Sequence, residues 1–390
     1  MFKILKGGRL FSPEDMGKKD ILIAGSIIAN IDENISPCQS FGELEVIDVK
    51  GKYVVPGFID QHEHIIGGGG EGGFASRTPE VMLSDITSAG ITTVVGCLGT
   101  DGTTRHMSSL LAKAMGLESE GISAYIYTGC YQLPTPTITG SVRDDIILIH
   151  KVLGAGEIAI SDHRSAQPSK EDIKKLASEA RVGGMLSGKA GVVHLHVGDG
   201  KEKLGMIFEI IEETEIPITQ FTPTHINRNP NLLEDGIRFA KMGGIIDITS
   251  SVGPVGKEEK SIKPSRAIKY CIEMGVPVEN ITMSSDGNGS MPIFDEKGNF
   301  IGLTVAKPYS LYKEFKDLVF KEGLSLTDAL KIITQNPAKS LKIYPKKGTL
   351  QKGSDADIVV LNEDLDIEYV FAKGRCMVKN KEIIVKGNFE

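Results

Sequence analysis

An α/β fold, a (β/α)₈ TIM-like barrel with a smaller β-sandwich domain built from both termini, is what these 390 residues predict. Three observations predict it. Apolar strand-like runs alternate with amphipathic helical stretches through the middle of the chain. Both ends of the chain read instead as short strands broken by turns. Residues suited to metal chemistry follow several different runs, as they do at the carboxyl face of a barrel.

The N-terminal strands are expected over residues 2–5, 20–24, 26–31 and 43–48, where polar and apolar residues alternate between Gly-Lys, Gly-Gly and Asp-Glu punctuation. The C-terminal stretch repeats the pattern at 357–361, 367–372, 376–378 and 383–385. These ends define one small β domain, 1–54 with 339–390, around a barrel of 55–338. The barrel strands are expected at 54–59, 92–98, 123–128, 157–161, 191–197, 217–221, 245–249 and 281–284. Helical periodicity falls between them, at 79–89, 105–117, 170–185, 204–213 and 264–274. A doubly wound open sheet is the competing architecture. It would gather ligands at one switch point, whereas here candidate site residues follow at least six different strands.

Composition removes several function classes. Hydrophobic residues make up 40% and charged residues 24%, ordinary for a soluble globular protein. The formal net charge of -7 gives no support to a nucleic-acid or anionic-membrane partner. No run approaches the ~18 apolar residues of a membrane span, and the first residues lack the apolar core of a secretory signal. A cytoplasmic location is therefore expected. Cys38, Cys97, Cys130, Cys271 and Cys376 are scattered and odd in number, which reads as buried free thiols.

The chemistry concentrates in six residues. His62 and His64, at i and i+2 on one strand, send both rings from the same face. Glu157, His196, His225 and Asp286 each lie on or beside another apolar run. A lone histidine on an apolar strand is usually a satisfied core residue. Five such residues in strand-end register point to a metal site instead. Four imidazoles and two carboxylates exceed one tetrahedral shell, so two divalent ions, zinc or similar, sharing a bridging carboxylate are expected. His194 forms a second His-x-His with His196, and His196 is preferred as nearer the strand end. His106, His150 and His163 are read as structural or surface residues. The glycines at 67–70 could suggest a phosphate loop, but no Lys-Ser/Thr follows.

The stretch Pro56-Gly57-Phe58-Ile59-Asp60-Gln61-His62-Glu63-His64, the late Asp286, and Asn336-Pro337-Ala338 with Gly353-Ser354-Asp355-Ala356-Asp357 resemble the amidohydrolase superfamily. A narrower resemblance, to the isoaspartyl (β-aspartyl) dipeptidases, covers nearly the whole chain. Its motifs are Gly67-Gly68-Gly69-Gly70-Glu71-Gly72, Leu98-Gly99-Thr100-Asp101, Tyr131 with Thr137-Ile138-Thr139-Gly140-Ser141, Ser161-Asp162-His163-Arg164-Ser165, His196-Val197-Gly198-Asp199, Pro223-Thr224-His225-Ile226-Asn227-Arg228-Asn229 and Asp286-Gly287-Asn288-Gly289-Ser290.

The resemblance implies that His62, His64 and Asp286 hold one metal, and His196 and His225 the second. Better-known members place a carboxylated lysine between the metals. Here Glu157 stands in its place, with the same single negative charge on a shorter arm. Asp286 would shuttle the proton and Tyr131 would donate to the oxyanion. Glu71 would meet the substrate ammonium, while Gly69, Thr100 and Ser290 would meet the aspartyl α-carboxylate. Arg164 and Arg228 would grip the C-terminal residue. The implied substrate is a dipeptide with an N-terminal isoaspartyl residue, and the implied assembly is a homo-oligomer such as an octamer. The alternatives are another binuclear amidohydrolase (dihydroorotase-like cyclic amidase or N-acyl amino acid deacylase) and a catalytically dead barrel retained for assembly.

Overall fold

A computed structural model describes residues 2–37, 42–254, 261–295 and 300–390; Cys38 lies outside them. Its strands run β1 (Phe2–Phe11), β2 (Asp15–Ala24), β3 (Ile27–Asp32), β4 (Leu44–Asp48), β5 (Tyr53–Pro56), β6 (Phe58–Glu63), β7 (Ile91–Gly96), β8 (Ser123–Thr128), β9 (Val152–Ile160) and β10 (Val192–Val197). They continue with β11 (Phe221–Thr224), β12 (Ile246–Thr249), β13 (Ile281–Ser284), β14 (Ser290–Phe294), β15 (Phe300–Val305), β16 (Ile358–Leu361), β17 (Ile367–Ala372), β18 (Arg375–Lys379) and β19 (Glu382–Ile383).

Strands β6 to β11 form a curled parallel sheet in sequence order, and β12 and β13 form a second parallel pair. All are buried along their length except at Tyr125 of β8, as parallel strands covered on both faces must be. The last strand returns to the first. Asp286 N donates to His62 O at 3.0 Å, and His64 N donates to Gly287 O at 2.8 Å. Helices separate most strands: α1 (Leu83–Thr87), α2 (Met107–Glu120), α3 (Val142–Leu148), α4 (Lys170–Ser187), α5 (Gly205–Glu213), α6 (Pro230–Lys241) and α7 (Pro264–Glu273). After β13 and the β14–β15 hairpin come α8 (Tyr309–Phe320), α9 (Leu326–Ile333) and α10 (Gln335–Ser340).

Local chemistry explains where these helices start. Ser169 caps α4, accepting from Asp172 N while the Asp172 carboxylate accepts from Ser169 N, and left-handed Gly188 ends the helix. Asn229 caps α6 ahead of Pro230, which suits a first helical position. The α6 face carrying Leu232, Leu233, Ile237 and Ala240 is buried in the main core.

The terminal strands hydrogen-bond into one sheet ordered β19-β18-β17-β16-β5-β1-β2-β3, with β4 paired to β1. A register shift between Leu5 and Gly8 lets the first half of β1 pair with β4 and the second with β5. Its own core includes Leu5, Ile21, Ile23, Val54, Ile358 and Phe371.

Several sequence expectations shift; the strand expected at 157–161, for one, is Val152–Ile160, which puts Glu157 inside it rather than at its start. The run 54–59 is two strands, not one. Val54 to Pro56 pair with β16, Gly57 N donates to Asp357 O, and Phe58 N then turns to Gly90 O at the edge of β7. The two halves looked continuous because both are buried. The helix expected at 79–89 shortens to Leu83–Thr87. The run at 217–221 begins as a 3₁₀ turn, Ile218–Gln220, and the strand proper is Phe221–Thr224. Among the described residues, no helix is long and apolar enough to cross a membrane.

A buried polar layer ties the late strands to β6. Asp247 accepts from Gln61 Nε2 at 2.8 Å, Thr282 Oγ1 at 2.8 Å, Thr224 Oγ1 at 2.6 Å and Ser284 Oγ at 2.5 Å. Removing that acceptor would leave buried donors from β6, β11 and β13 unpaired. Asp247→Ala is therefore expected to lower unfolding free energy by roughly 3 kcal/mol in denaturant titration of the metal-free protein. A loss below about 0.5 kcal/mol, typical of a surface change, would show the layer to be incidental.

Candidate metal and substrate site

Four imidazoles and two carboxylates converge where β6, β9, β10, β11 and β13 end. Glu157 is fully enclosed and stands at the centre. Its Oε1 lies 2.8 Å from His196 Nδ1 and 3.0 Å from His225 Nε2. Its Oε2 lies 3.3 Å from His62 Nε2 and 3.9 Å from His64 Nε2. Asp286 Oδ1 faces the same pair of rings, 3.1 Å from His64 Nε2 and 3.5 Å from His62 Nε2.

The backbone explains how a short glutamate reaches this point. Between Ala155 and Ile158, β9 holds one residue more than its partner β10, a bulge that carries Glu157. A Cβ at Gly156 would lie 2.8 Å from the His194 Cβ, so only glycine lets β9 approach β10 this closely. His225 and Asp286 both sit in the left-handed region, with φ of 61° and 53°. Such backbone persists where the surroundings dictate it, often at functional sites.

Behind the rings stands a second set of contacts. His225 Nδ1 meets Thr249 Oγ1 at 2.7 Å, and His196 Nε2 meets Asp162 Oδ2 at 2.8 Å. His62 Nδ1 meets His194 Nε2 at 2.8 Å, and the His194 ring stacks on Tyr127 with centroids 4.9 Å apart. Each of these three rings is thus held from behind and offers its other nitrogen to Glu157, the arrangement that orients imidazole ligands. His194 lies outside the donor cluster that contains His196. Burial, with His62 nearby, drives its pKa well below the ordinary value, so it is a neutral prop. His106, His150 and His163 are exposed.

The donor set suits divalent cations. Glu157 Oε2 and His62 Nε2 are buried without any hydrogen-bond partner although they face each other. Orphaned groups of this kind are costly unless something else satisfies them. The clustered donors form two groups that share Glu157: His62, His64, Cys97 and Glu157, and Glu157, His196 and His225. Nitrogen and carboxylate ligands in such numbers match zinc-type sites.

A cavity of about 300 Å³ opens beside the cluster, lined by His64, His196 and Asp286. Every residue expected to bind substrate lines it too: Gly69, Glu71, Thr100 and Tyr131 from the earlier loops, Arg164, Arg228 and Ser290 from the later ones. Their partners refine the expectations. Glu71 Oε1 accepts from Thr100 Oγ1 at 2.8 Å and from Arg164 Nη1 at 3.2 Å. The two-pronged edge of Arg164 is engaged by Asp162, at 3.0 Å and 2.8 Å, which leaves Nη1 facing Glu71. Arg228 Nε has no hydrogen-bond partner among the described residues. Asn227 beside it is tied to the carbonyls of Thr249, Val252 and Ile262, fixing the segment that carries the arginine. Tyr131 OH lies 2.7 Å from His196 Nδ1, and burial raises its pKa, so it stays a donor.

Sequence reasoning passed over two members of this site. Asp162 was only part of a motif, yet it joins His196 to Arg164. Burial opposes its ionisation, but His196 and Arg164 hold it well below the usual carboxylate range. Cys97, read as an inert buried thiol, stands among the metal donors. Its signal was its place directly after β7, beside the His-x-His strand.

A sequence model of the amidohydrolase family matches residues 53–387, and the chain belongs to that family. Within it, the chain is similar to the β-aspartyl dipeptidase of Fervidobacterium islandicum AW-1. The structure of that enzyme in complex with a β-Asp-Leu dipeptide is 47% identical, with TM-score 0.88, and the match covers 98% of each chain. A dihydroorotase of Aquifex aeolicus is 27% identical over 408 residues, 92% of this chain and 89% of its own length. The dihydropyrimidinase of Brevibacillus agri NCHU1002, 16% identical with TM-score 0.70 and covering 98% of this chain and 96% of its own, shares the fold.

The cluster also sets a pH dependence for metal uptake. Burial favours neutral rings, yet Cys97 and Glu157 beside His62, and Cys97 and Asp286 beside His64, hold both pKa values well above the ordinary one. In the metal-free protein these rings keep their protons through neutral pH, and a cation must displace them. Zinc binding should therefore release protons and tighten as pH rises from about 6 to 8. Calorimetry in buffers of different ionisation enthalpy measures this, and affinity independent of pH would contradict it.

Proposed function

We propose that this chain is a metal-dependent hydrolase that cleaves the β-aspartyl peptide bond of dipeptides. One observation carries the reading. A single cavity joins the imidazole–carboxylate cluster to an acid and two arginines fit for a zwitterion, in a chain similar over its whole length to an enzyme of this kind.

His62, His64 and Asp286 would hold one cation and His196 and His225 the other, with Glu157 shared in place of a carboxylated lysine. Two such ions, zinc in this reading, would supply hydroxide as nucleophile at neutral pH and Lewis acidity toward the scissile carbonyl. Asp286 is kept ionised by His64 and His62 despite its burial. As an ionised carboxylate beside the reacting atoms, it accepts the nucleophile's proton and passes it to the departing amine. Tyr131 donates to the oxygen on which charge develops.

Substrate ends are read by charge. Glu71 takes the free α-ammonium, displacing its Arg164 contact. Arg228, with Arg164 released from Glu71, takes the carboxylate of the C-terminal residue. Backbone N–H at Gly69, with Thr100 and Ser290, receives the aspartyl α-carboxylate. Glycine is required at 69, where φ is 69° and a Cβ would sit 2.7 Å from the Ser290 Cβ.

The wider architecture belongs to the same proposal. The eight strands from β6 to β13 close as a barrel, and 1–54 with 339–390 form a β-sandwich domain over their own core. The enzyme works in the cytoplasm as a homo-oligomer, an octamer in this reading. A cyclic amidase of the dihydroorotase type is the second reading, favoured by the sequence relative of that name. Cyclic amides and N-acylated substrates lack a free α-amine, which leaves Glu71 without a task.

Two measurements test these roles. Asp286→Asn, with metal content confirmed, should lower turnover of β-Asp-Leu by about 10²–10⁴-fold; near-normal turnover would remove the proton shuttle. Glu71→Gln should lower kcat/KM for β-Asp-Leu by about 10–100-fold, the loss of one charge-assisted hydrogen bond, and leave N-acetylated analogues little changed. Equal losses on both substrates would contradict the ammonium contact.

A further inference from the structure

Cys97 follows β7 directly, and its backbone N–H donates to Glu63 O at 3.0 Å. That bond fixes the residue beside the His62–His64 strand. Its Sγ is fully buried, 3.8 Å from His64 Nδ1 and 3.7 Å from Glu63 O. The donor atoms of His62, His64, Cys97 and Glu157 all lie within 4.8 Å of one another.

The two halves of the cluster differ in a way that needs a cause. Glu157 Oε1 is satisfied by His196 and His225. On the Cys97 side, Glu157 Oε2 and His62 Nε2 are buried and orphaned. Two unpartnered donors beside a buried thiol mark a place for a cation with sulfur in its shell.

We propose that the Cys97 thiolate is a direct ligand of the cation held by His62, His64 and Glu157. The inference deepens the two-cation reading and rests on it. It changes the chemistry of that half of the site. A thiolate adds one negative charge next to Glu157 and Asp286, and soft sulfur favours zinc over manganese or magnesium. The half formed by His196, His225 and Glu157 has no sulfur and is the more permissive position. A zinc–sulfur bond also protects the thiol from oxidation.

The test uses the full-length protein loaded with zinc or with cobalt(II). Zinc-edge X-ray absorption should show a sulfur neighbour at ~2.3 Å. The cobalt form should show a near-ultraviolet thiolate-to-cobalt charge-transfer band. That band should survive Cys271→Ser, a buried thiol on α7, and vanish in Cys97→Ser. Cys97→Ser should weaken the tighter zinc site by more than the ~10–100-fold that loss of an outer-shell partner costs. If Cys97→Ser does not fold, the native protein's sulfur neighbour and cobalt band decide the matter alone. Bound cations with no sulfur neighbour and no band would overturn the proposal, leave the hydrolase reading intact, and reduce Cys97 to a thiol hydrogen-bonded to His64. A protein that binds no cation would overturn both.

Discussion

One buried carboxylate, shared by imidazoles from β6, β10 and β11, is the constraint on which the rest of this structure depends. A glutamate removed from water costs several kcal/mol unless opposite charge or donors surround it. Around Glu157 the compensation comes from His62, His196 and His225, which hold its pKa well below the ordinary value against burial. Each ring must therefore point inward at a fixed height. The bulge in β9, the glycine against His194 and the left-handed backbone at His225 and Asp286 all serve that requirement. The strands are positioned by packing, but the cluster decides which faces of them must be polar.

A second constraint lies at the mouth. Glu71 and Arg164 pair across the cavity, and Asp162 couples Arg164 back to His196. A zwitterionic ligand can exchange that internal pair for its own charges at little net cost. A neutral ligand cannot, and would leave a half-buried pair disturbed without compensation. In the proposed reading, selectivity and cluster geometry are thus connected through Arg164.

Much of this was legible in the residues. His-x-His at the end of a run, then Glu157, His196, His225 and Asp286 beside later runs, is a spacing that only strand-end register explains, and the structure gathers all six. The alternation of strands and helices was equally plain, because parallel strands buried on both faces read as continuous apolar runs. That same continuity hid the break at Gly57, since β5 and β6 are both buried although they pair in different sheets. Asp162 and Cys97 were obscure for another reason. Their significance comes from neighbours 34 and 33 residues away, and for Cys97 the one local sign was its place directly after β7. The link between Arg164 and Asp162 was likewise invisible, because Arg164 was expected to meet substrate and Asp162 was given no role.

The central claim is that Glu157 stands between two cations. Diffraction from crystals of zinc-loaded protein, collected on both sides of the zinc absorption edge, tests it most directly. The account predicts two anomalous peaks flanking the Glu157 carboxylate, one beside His62 and His64 and the other beside His196 and His225. A single peak, or a Glu157 side chain turned away from both, would contradict it.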